Sequence, residues 1–143
     1  MNIIPYTRKV HFYETDQMSI VHHSNYIRWF EEARVDFLEQ VGHGYDKAVS
    51  SGIDFVLTGI SCEYKSMVRF GETVKIYLNI THLEPFRITV TYEVVDDETG
   101  TLRATGTSKH CSFHRRRNRP VSLKKEMPEL YEVFEQITKT PDA

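Results

Sequence analysis

The sequence predicts an α+β domain in which an antiparallel sheet wraps one long, very apolar helix. Three observations predict it. A helical apolar stripe between residues 24 and 41 is too wide for a helix that rests on a surface. Alternation of period two follows in the segments after residue 53. The turns joining those segments are too short for parallel crossovers. At 143 residues and 40% hydrophobic, the chain suffices for one core, so residues 1–143 form one domain.

The elements follow in order. Thr7 to Tyr13 is rich in β-branched and aromatic residues and suits a strand. Glu14 to His23 has no period and reads as a loop. From Ser24 to Val41, positions 26, 30, 33, 37 and 41 are three or four apart and stack along one helix face, which Ile27 and Trp29 widen. Ser24 suits the N-cap, and Gly42 or Gly44 the end. A short helical piece lies near Tyr45–Ser50. Ile53 to Val68 reads as one long strand bent at Gly59. Thr73–Leu83 and Arg87–Val95 alternate cleanly, with Glu84-Pro85 between them. Asp96 to Gly100 carries turn residues, and Thr101 to His114 returns as a strand. Arg115 to Pro120 interrupts the pattern, and Pro128 opens an amphipathic C-terminal helix.

Composition removes several function classes. Eighteen Lys and Arg against twenty Asp and Glu give a formal charge of −2, which offers no chain-wide attraction to nucleic acid or anionic membrane. No apolar run approaches the roughly 20 residues that span a bilayer. The first six residues lack the basic start and apolar core of a signal peptide, so the expected location is cytoplasmic. Cys62 and Cys111 form no framework and read as buried small hydrophobes. His110 and His114 lie four residues apart in a strand pattern, a span of about 13 Å, too long for one metal ion. No metal and no cofactor are expected.

The informative stretch is Tyr13-Glu14-Thr15-Asp16, six residues, then His23-Ser24-Asn25-Tyr26, followed by Phe30-Glu31-Glu32-Ala33-Arg34. It joins the first strand to a helix N-terminus, where free N–H groups and the positive dipole end favour developing negative charge. On residue types alone, Asp16 forming an Asx-turn and Ser24 capping the helix account for the same pattern. The string resembles the 4-hydroxybenzoyl-CoA thioesterase branch of the hotdog-fold superfamily. That resemblance covers nearly the whole chain, with its specific part in residues 13–34. It implies a five-stranded sheet around the central helix, Asp16 as the catalytic carboxylate, His23 with its backbone N–H as the carbonyl-polarising group, and Tyr13 near the site. Where the family commonly carries a Gly-Gly pair, this chain has Met18-Ser19, so the acyl preference does not carry over.

The expected function is hydrolysis of an acyl-CoA thioester, with Asp16 as general base or nucleophile and helix N–H groups stabilising the oxyanion. Coenzyme A carries phosphates, for which Lys65, Arg69, Arg115, Arg116, Arg117 and Arg119 are the cationic candidates. His22 is assigned to the surface, and Glu31 to pairing with Arg34 or nearby backbone. The alternatives are a non-catalytic acyl-CoA binding module and a hotdog dehydratase or hydratase on acyl-carrier substrates. Two open sheet edges predict a homo-oligomer, a dimer or a tetramer of dimers, with Ile53–Arg69 as the shared wall.

Overall fold

The computed structural model describes residues 2–138. Strand β1 (Tyr6–Lys9) leads through a single 3-10 turn (Phe12–Glu14) and a loop into α1 (Ser24–Gln40). Then come α2 (Tyr45–Ser51), β2 (Ile53–Tyr64), β3 (Thr73–Leu83), β4 (Arg87–Asp96) and β5 (Leu102–His114). A two-residue strand β6 (Arg119–Pro120) precedes α3 (Leu123–Glu126) and α4 (Pro128–Thr138). The sheet runs β1-β3-β4-β5-β2, with β6 paired to β5, and every pairing is antiparallel. This is the α+β arrangement that the hotdog resemblance implies, with β1 and β2 at the edges.

Helix α1 fills the sheet's inner face. Tyr26, Trp29, Phe30, Ala33 and Phe37 are all buried, against Val74 and Ile76 of β3 and Val90, Tyr92 and Val94 of β4. The close approach depends on small residues along β5, where Ala104, Gly106 and Ser108 point inward in succession. Phe30 stacks on Tyr92 with ring centroids 4.3 Å apart. Its ring lies directly over Gly106, where a Cβ would sit 2.4 Å from Phe30 Cε2. Helix α4 closes the far end, with Phe134 against Phe37 and Phe55.

Several boundaries differ from the sequence expectation. The first strand stops at Lys9 rather than Tyr13, because His11 N–H donates to Glu14 Oε1 and draws the chain into the 3-10 turn. Ser24 does not cap α1. His23 occupies the N-cap in helical conformation, and Ser24 is the first helical residue. Strand β2 ends at Tyr64, since Lys65 and Ser66 N–H both turn to Arg103 O. Its register shifts between Leu57 and Gly59, where the bend was expected. Gly42 follows the helix end at φ +81°, a left-handed value that favours glycine. Helix α3, capped by Ser122, and strand β6 had no sequence signal strong enough to separate them from loop. Cys62 and Cys111 are half-buried rather than buried.

Adding one methyl at Gly106 forces Phe30 out of its stack. Gly106→Ala is expected to lose about 1–3 kcal/mol of stability, the usual penalty for overpacking. Urea unfolding with an unchanged m-value checks this, and a wild-type midpoint would remove the close-packing account.

Candidate active site

The loop between the 3-10 turn and α1 is held by one buried carboxylate. Glu14 is 2% exposed. Its two oxygens take a bidentate pair from Arg8, Nη1 to Oε1 and Nη2 to Oε2, each at 2.9 Å. Trp29 Nε1–H donates to Oε2 at 2.9 Å. Its backbone oxygen accepts from His22 N–H and from Asn25 Nδ2. Arg8 also donates from Nε to Glu32 of α1 at 2.8 Å. Burial works against the Arg8 charge, but the hydrogen bond to Glu32 and the two carboxylates outweigh it and push the guanidinium up. One strand, one loop and the first three turns of the helix are thereby tied at fixed distances. The sequence reading placed no role on Glu14 or Asn25. The available signal was Trp29: an indole on a buried helix face requires an acceptor for its N–H.

Above this clamp the loop folds back on itself. Thr15 bridges Val21, and Asp16 N–H donates to Ile20 O. Asp16 Oδ1 accepts from Met18 N–H at 2.8 Å, so the Asx-turn forms. Ser19 takes a left-handed φ of +63°, at the place where the resembling family carries glycine. Asp16, Tyr13 and His23 are all exposed on the protomer.

The start of α1 leaves one amide free. His22 N–H goes to Glu14 O, Ser24 N–H to His22 Nδ1, Asn25 N–H to His22 O and Tyr26 N–H to His23 O. Among the described residues, only the His23 N–H in this run takes no acceptor. The His23 carbonyl is fixed from the sheet, where Tyr64 Oη donates to it at 3.2 Å, and the two rings meet edge to face. His22 is exposed and uses its ring to hold Ser24. The site thus presents an exposed carboxylate with one oxygen anchored, on the loop that leads into a helix N-terminus with a free backbone donor. Such an arrangement binds a carbonyl and manages a proton.

The remaining sequence candidates divide. Arg69 is brought to the loop, for it bridges Ile20, and Val68 O accepts from Val21 N–H. Lys65 follows Tyr64 and pairs with Glu63 at 2.9 Å. Arg115, Arg116 and Arg117 sit in the turn after β5, beside the first residues of β2, the end opposite Tyr64. Arg115 pairs with Asp54 and Arg117 with Glu126; Arg116 and Arg119 are exposed. Within one protomer these arginines are therefore not beside Asp16. Glu31 does not pair with Arg34 as expected. Arg34 Nη1 donates instead to Tyr92 Oη at 2.9 Å inside the core. Burial pushes the Cys62 thiol up, which leaves it protonated at neutral pH and unsuited to attack.

With this geometry in view, similarity to known proteins is direct. The family model of the thioesterase-like superfamily matches residues 10–133. A protein of Aquifex aeolicus (strain VF5), provisionally named an esterase, is 39% identical over 125 residues, covering 87% of this chain and 94% of its own. The Bacillus subtilis (strain 168) protein YneP, provisionally named an acyl-CoA thioesterase, is 28% identical over 131 residues, 92% of this chain and 94% of its own. A DHNA-CoA thioesterase structure from Staphylococcus aureus superposes with a TM-score of 0.87 at 26% identity, over 94% of this chain and 89% of the other.

Two expected outcomes follow from the buried groups. Glu14→Ala leaves the Arg8 guanidinium without its bidentate partner and is expected to lose about 3–5 kcal/mol. Denaturant unfolding checks it, and a loss below about 1 kcal/mol would deny Glu14 its organising place. His110 is held down to about 4, by burial first and then by Arg34. Its ordinary value is 6.5. A histidine whose folded pKa is depressed adds stability that is present above pH 6.5 and lost as pH falls towards 4. The fall in unfolding free energy across that window should be shallower in His110→Gln, and equal slopes would contradict the neutral buried imidazole.

Proposed function

The chain belongs to the thioesterase-like superfamily of hotdog proteins, and from that premise we propose that it hydrolyses an acyl-CoA thioester, using Asp16 and the His23 N–H. The observation that supports this reading most is the free His23 amide at the start of α1, at the end of the loop that carries the exposed, anchored Asp16 carboxylate. A thioester is already activated towards attack, so no serine or cysteine nucleophile is required. The thioester oxygen accepts from the His23 N–H. Asp16 takes a proton from water as the water oxygen bonds to the carbonyl carbon. The oxyanion that forms is stabilised by the same amide and the helix dipole, and its collapse expels the coenzyme A thiolate. The same carboxylate placed closer to the carbon would form a mixed anhydride instead. The His23 ring and Tyr13 flank the reacting group. Relatives named acyl-CoA thioester hydrolase YbgC in Escherichia coli support the substrate class.

The assembly in this reading is a homodimer, or a tetramer of dimers, formed through β2. Among the described residues that strand pairs only with β5, and its other edge is open. Val56 and Leu57 on β2, with Ile27 and Val35 on α1, are exposed apolar side chains in the protomer. Two-fold antiparallel pairing sets the first residues of one β2 beside the last residues of its partner. The arginines after β5 then approach the partner's loop, where they and the loop's own Arg69 and Lys65 are placed to hold the phosphates of coenzyme A. No helix among the described residues is long and apolar enough to cross a membrane, and the reading places the enzyme in the cytoplasm.

Asp16→Asn keeps shape and removes basicity. It is expected to reduce kcat on acyl-CoA by about 10²–10⁴-fold with KM little changed. Thiol release from a panel of acyl-CoAs measures it, and near wild-type turnover would sink the assignment. His23→Ala should cost less, because the donor is backbone; equal and complete loss in both would reverse the roles. Light scattering should give at least twice the chain mass, and a fully active monomer would refute the paired assembly.

A further inference from the structure

The free amide of His23 belongs to the peptide group that joins His22 to His23, and the carbonyl of that group is His22 O. A trans peptide is planar, with its N–H and C=O pointing in opposite directions. Whatever fixes His22 O therefore fixes the direction of the His23 N–H. Two donors reach that oxygen, and both belong to Asn25: its backbone N–H at 3.0 Å and its side-chain Nδ2 at 3.3 Å. Asn25 lies in the first turn of α1 and is 5% exposed.

The partners of the Asn25 side chain fix which way its amide faces. Arg28 Nη1 is 3.1 Å from Oδ1, and a guanidinium only donates, so the atom opposite it is the oxygen. The nitrogen then faces Glu14 O at 2.9 Å and His22 O at 3.3 Å, two carbonyls that only accept. Each of its two protons has one acceptor. Glu14 O also accepts from His22 N–H at 2.8 Å. His22 is thus held at both ends, its N–H by Glu14 O and its C=O by Asn25, and Asn25 Nδ2 ties the two carbonyls together.

These bonds aim the His23 N–H and also change its strength. A hydrogen bond to a peptide oxygen draws electron density from the nitrogen through amide resonance, which makes the N–H a stronger donor. We propose that Asn25 is a positioning residue for thioester hydrolysis: its side-chain amide aims the His23 N–H and strengthens it as the donor to the thioester oxygen. This rests on the reading in which that N–H polarises the substrate. Asn25 lies on the carbonyl side of the peptide and acts through it. Tyr64 binds His23 O, the carbonyl of the following peptide, and so does not act on the His23 N–H in this way.

The test compares two variants with the wild type. Asn25→Ala removes the carboxamide, yet Glu14 O keeps the His22 N–H and His22 O keeps the backbone N–H of residue 25, so neither carbonyl is orphaned. Asn25→Ser restores one donor, because a serine hydroxyl on a helix bonds back to the carbonyl three residues earlier, here His22 O. Should Asn25→Ala fail to fold, Asn25→Leu, which fills the space without a donor, takes its place. The first readout needs no substrate: hydroxide-catalysed exchange of the His23 amide, followed by NMR in protein labelled with ¹⁵N at histidine. That exchange passes through an amide anion whose charge sits on His22 O. Losing the side-chain bond should slow it about tenfold in Asn25→Ala, the scale of one hydrogen bond to a charged group, and Asn25→Ser should recover most of the rate. A purely structural Asn25 predicts the reverse, since a loosened helix entrance exchanges faster. The second readout is thiol release from hexanoyl-CoA and benzoyl-CoA, in which kcat of Asn25→Ala should fall about tenfold with KM unchanged, and Asn25→Ser should again recover. Unchanged or faster His23 exchange in Asn25→Ala, no recovery in Asn25→Ser, or wild-type kcat in Asn25→Ala would overturn the proposal. A wild-type protein that releases thiol from neither probe would instead count against the hydrolysis reading, while the exchange rates still decide whether Asn25 tunes the amide.

Discussion

The buried Glu14 carboxylate is the constraint from which the geometry of the loop and the helix entrance derives. Its oxygens are shared among Arg8 on β1, the His11 amide and the Trp29 indole, so it joins elements that are distant in the chain but adjacent in the fold. The ions offset the cost of their own desolvation only while this geometry holds, which makes the network a poor source of net stability and a strong source of specificity. Its carbonyl adds two more bonds, to His22 and Asn25, so the peptide that follows has little freedom in how it enters α1.

The sheet contributes the complementary half of that positioning. Tyr64, at the end of β2, fixes the carbonyl of His23 while the loop engages the amides on either side of it. A helix N-terminus ordinarily shares its unsatisfied donors among water molecules. Here the neighbouring donors are occupied by protein groups, and the one left over points electrostatic preference at a single position. On the other side of the helix, the small inner face of β5 lets Phe30 sit on the sheet backbone and Tyr92 stack beneath it. The depth of α1 in the sheet thus follows from Gly106 and its neighbours.

Much of this was legible in the sequence because it rests on periodicity. The apolar stripe of α1 and the alternation of β3 and β4 are burial patterns, and burial is what the structure shows at four of the five stripe positions, Tyr26, Phe30, Ala33 and Phe37, and at Val74, Ile76 and Val94, while Val41 is half-buried. Asp16 and His23 were singled out through motif resemblance, which pointed to the loop but not to how it is held. What was not legible depends on distant polar pairing. Glu14 looked like one more loop carboxylate, and its partners Arg8 and Trp29 are six and fifteen residues away. Glu31 was read as a partner for Arg34 or for nearby backbone; Arg34 instead donates to Tyr92, fifty-eight residues distant. Ser24 was read as a cap from its type, but the N-cap position fell one residue earlier, on His23.

The place of β2 in the sheet has a kinetic meaning. Among the described residues it is joined to the rest of the sheet only through β5, in a register that sets Ile53 opposite His114 across sixty-one residues of chain. Loops of that length close late in folding, because their entropy must be spent before any contact rewards it. By the same reasoning, in a protomer separated from its partner an edge strand with one neighbour is an early place to open, in a fluctuation well short of global unfolding. Because β2 carries Tyr64, such an opening releases the His23 carbonyl while the Glu14 clamp stays closed. Amide exchange along β2, rather than thermal melting, is therefore the observable that reports how long the loop and helix entrance remain assembled.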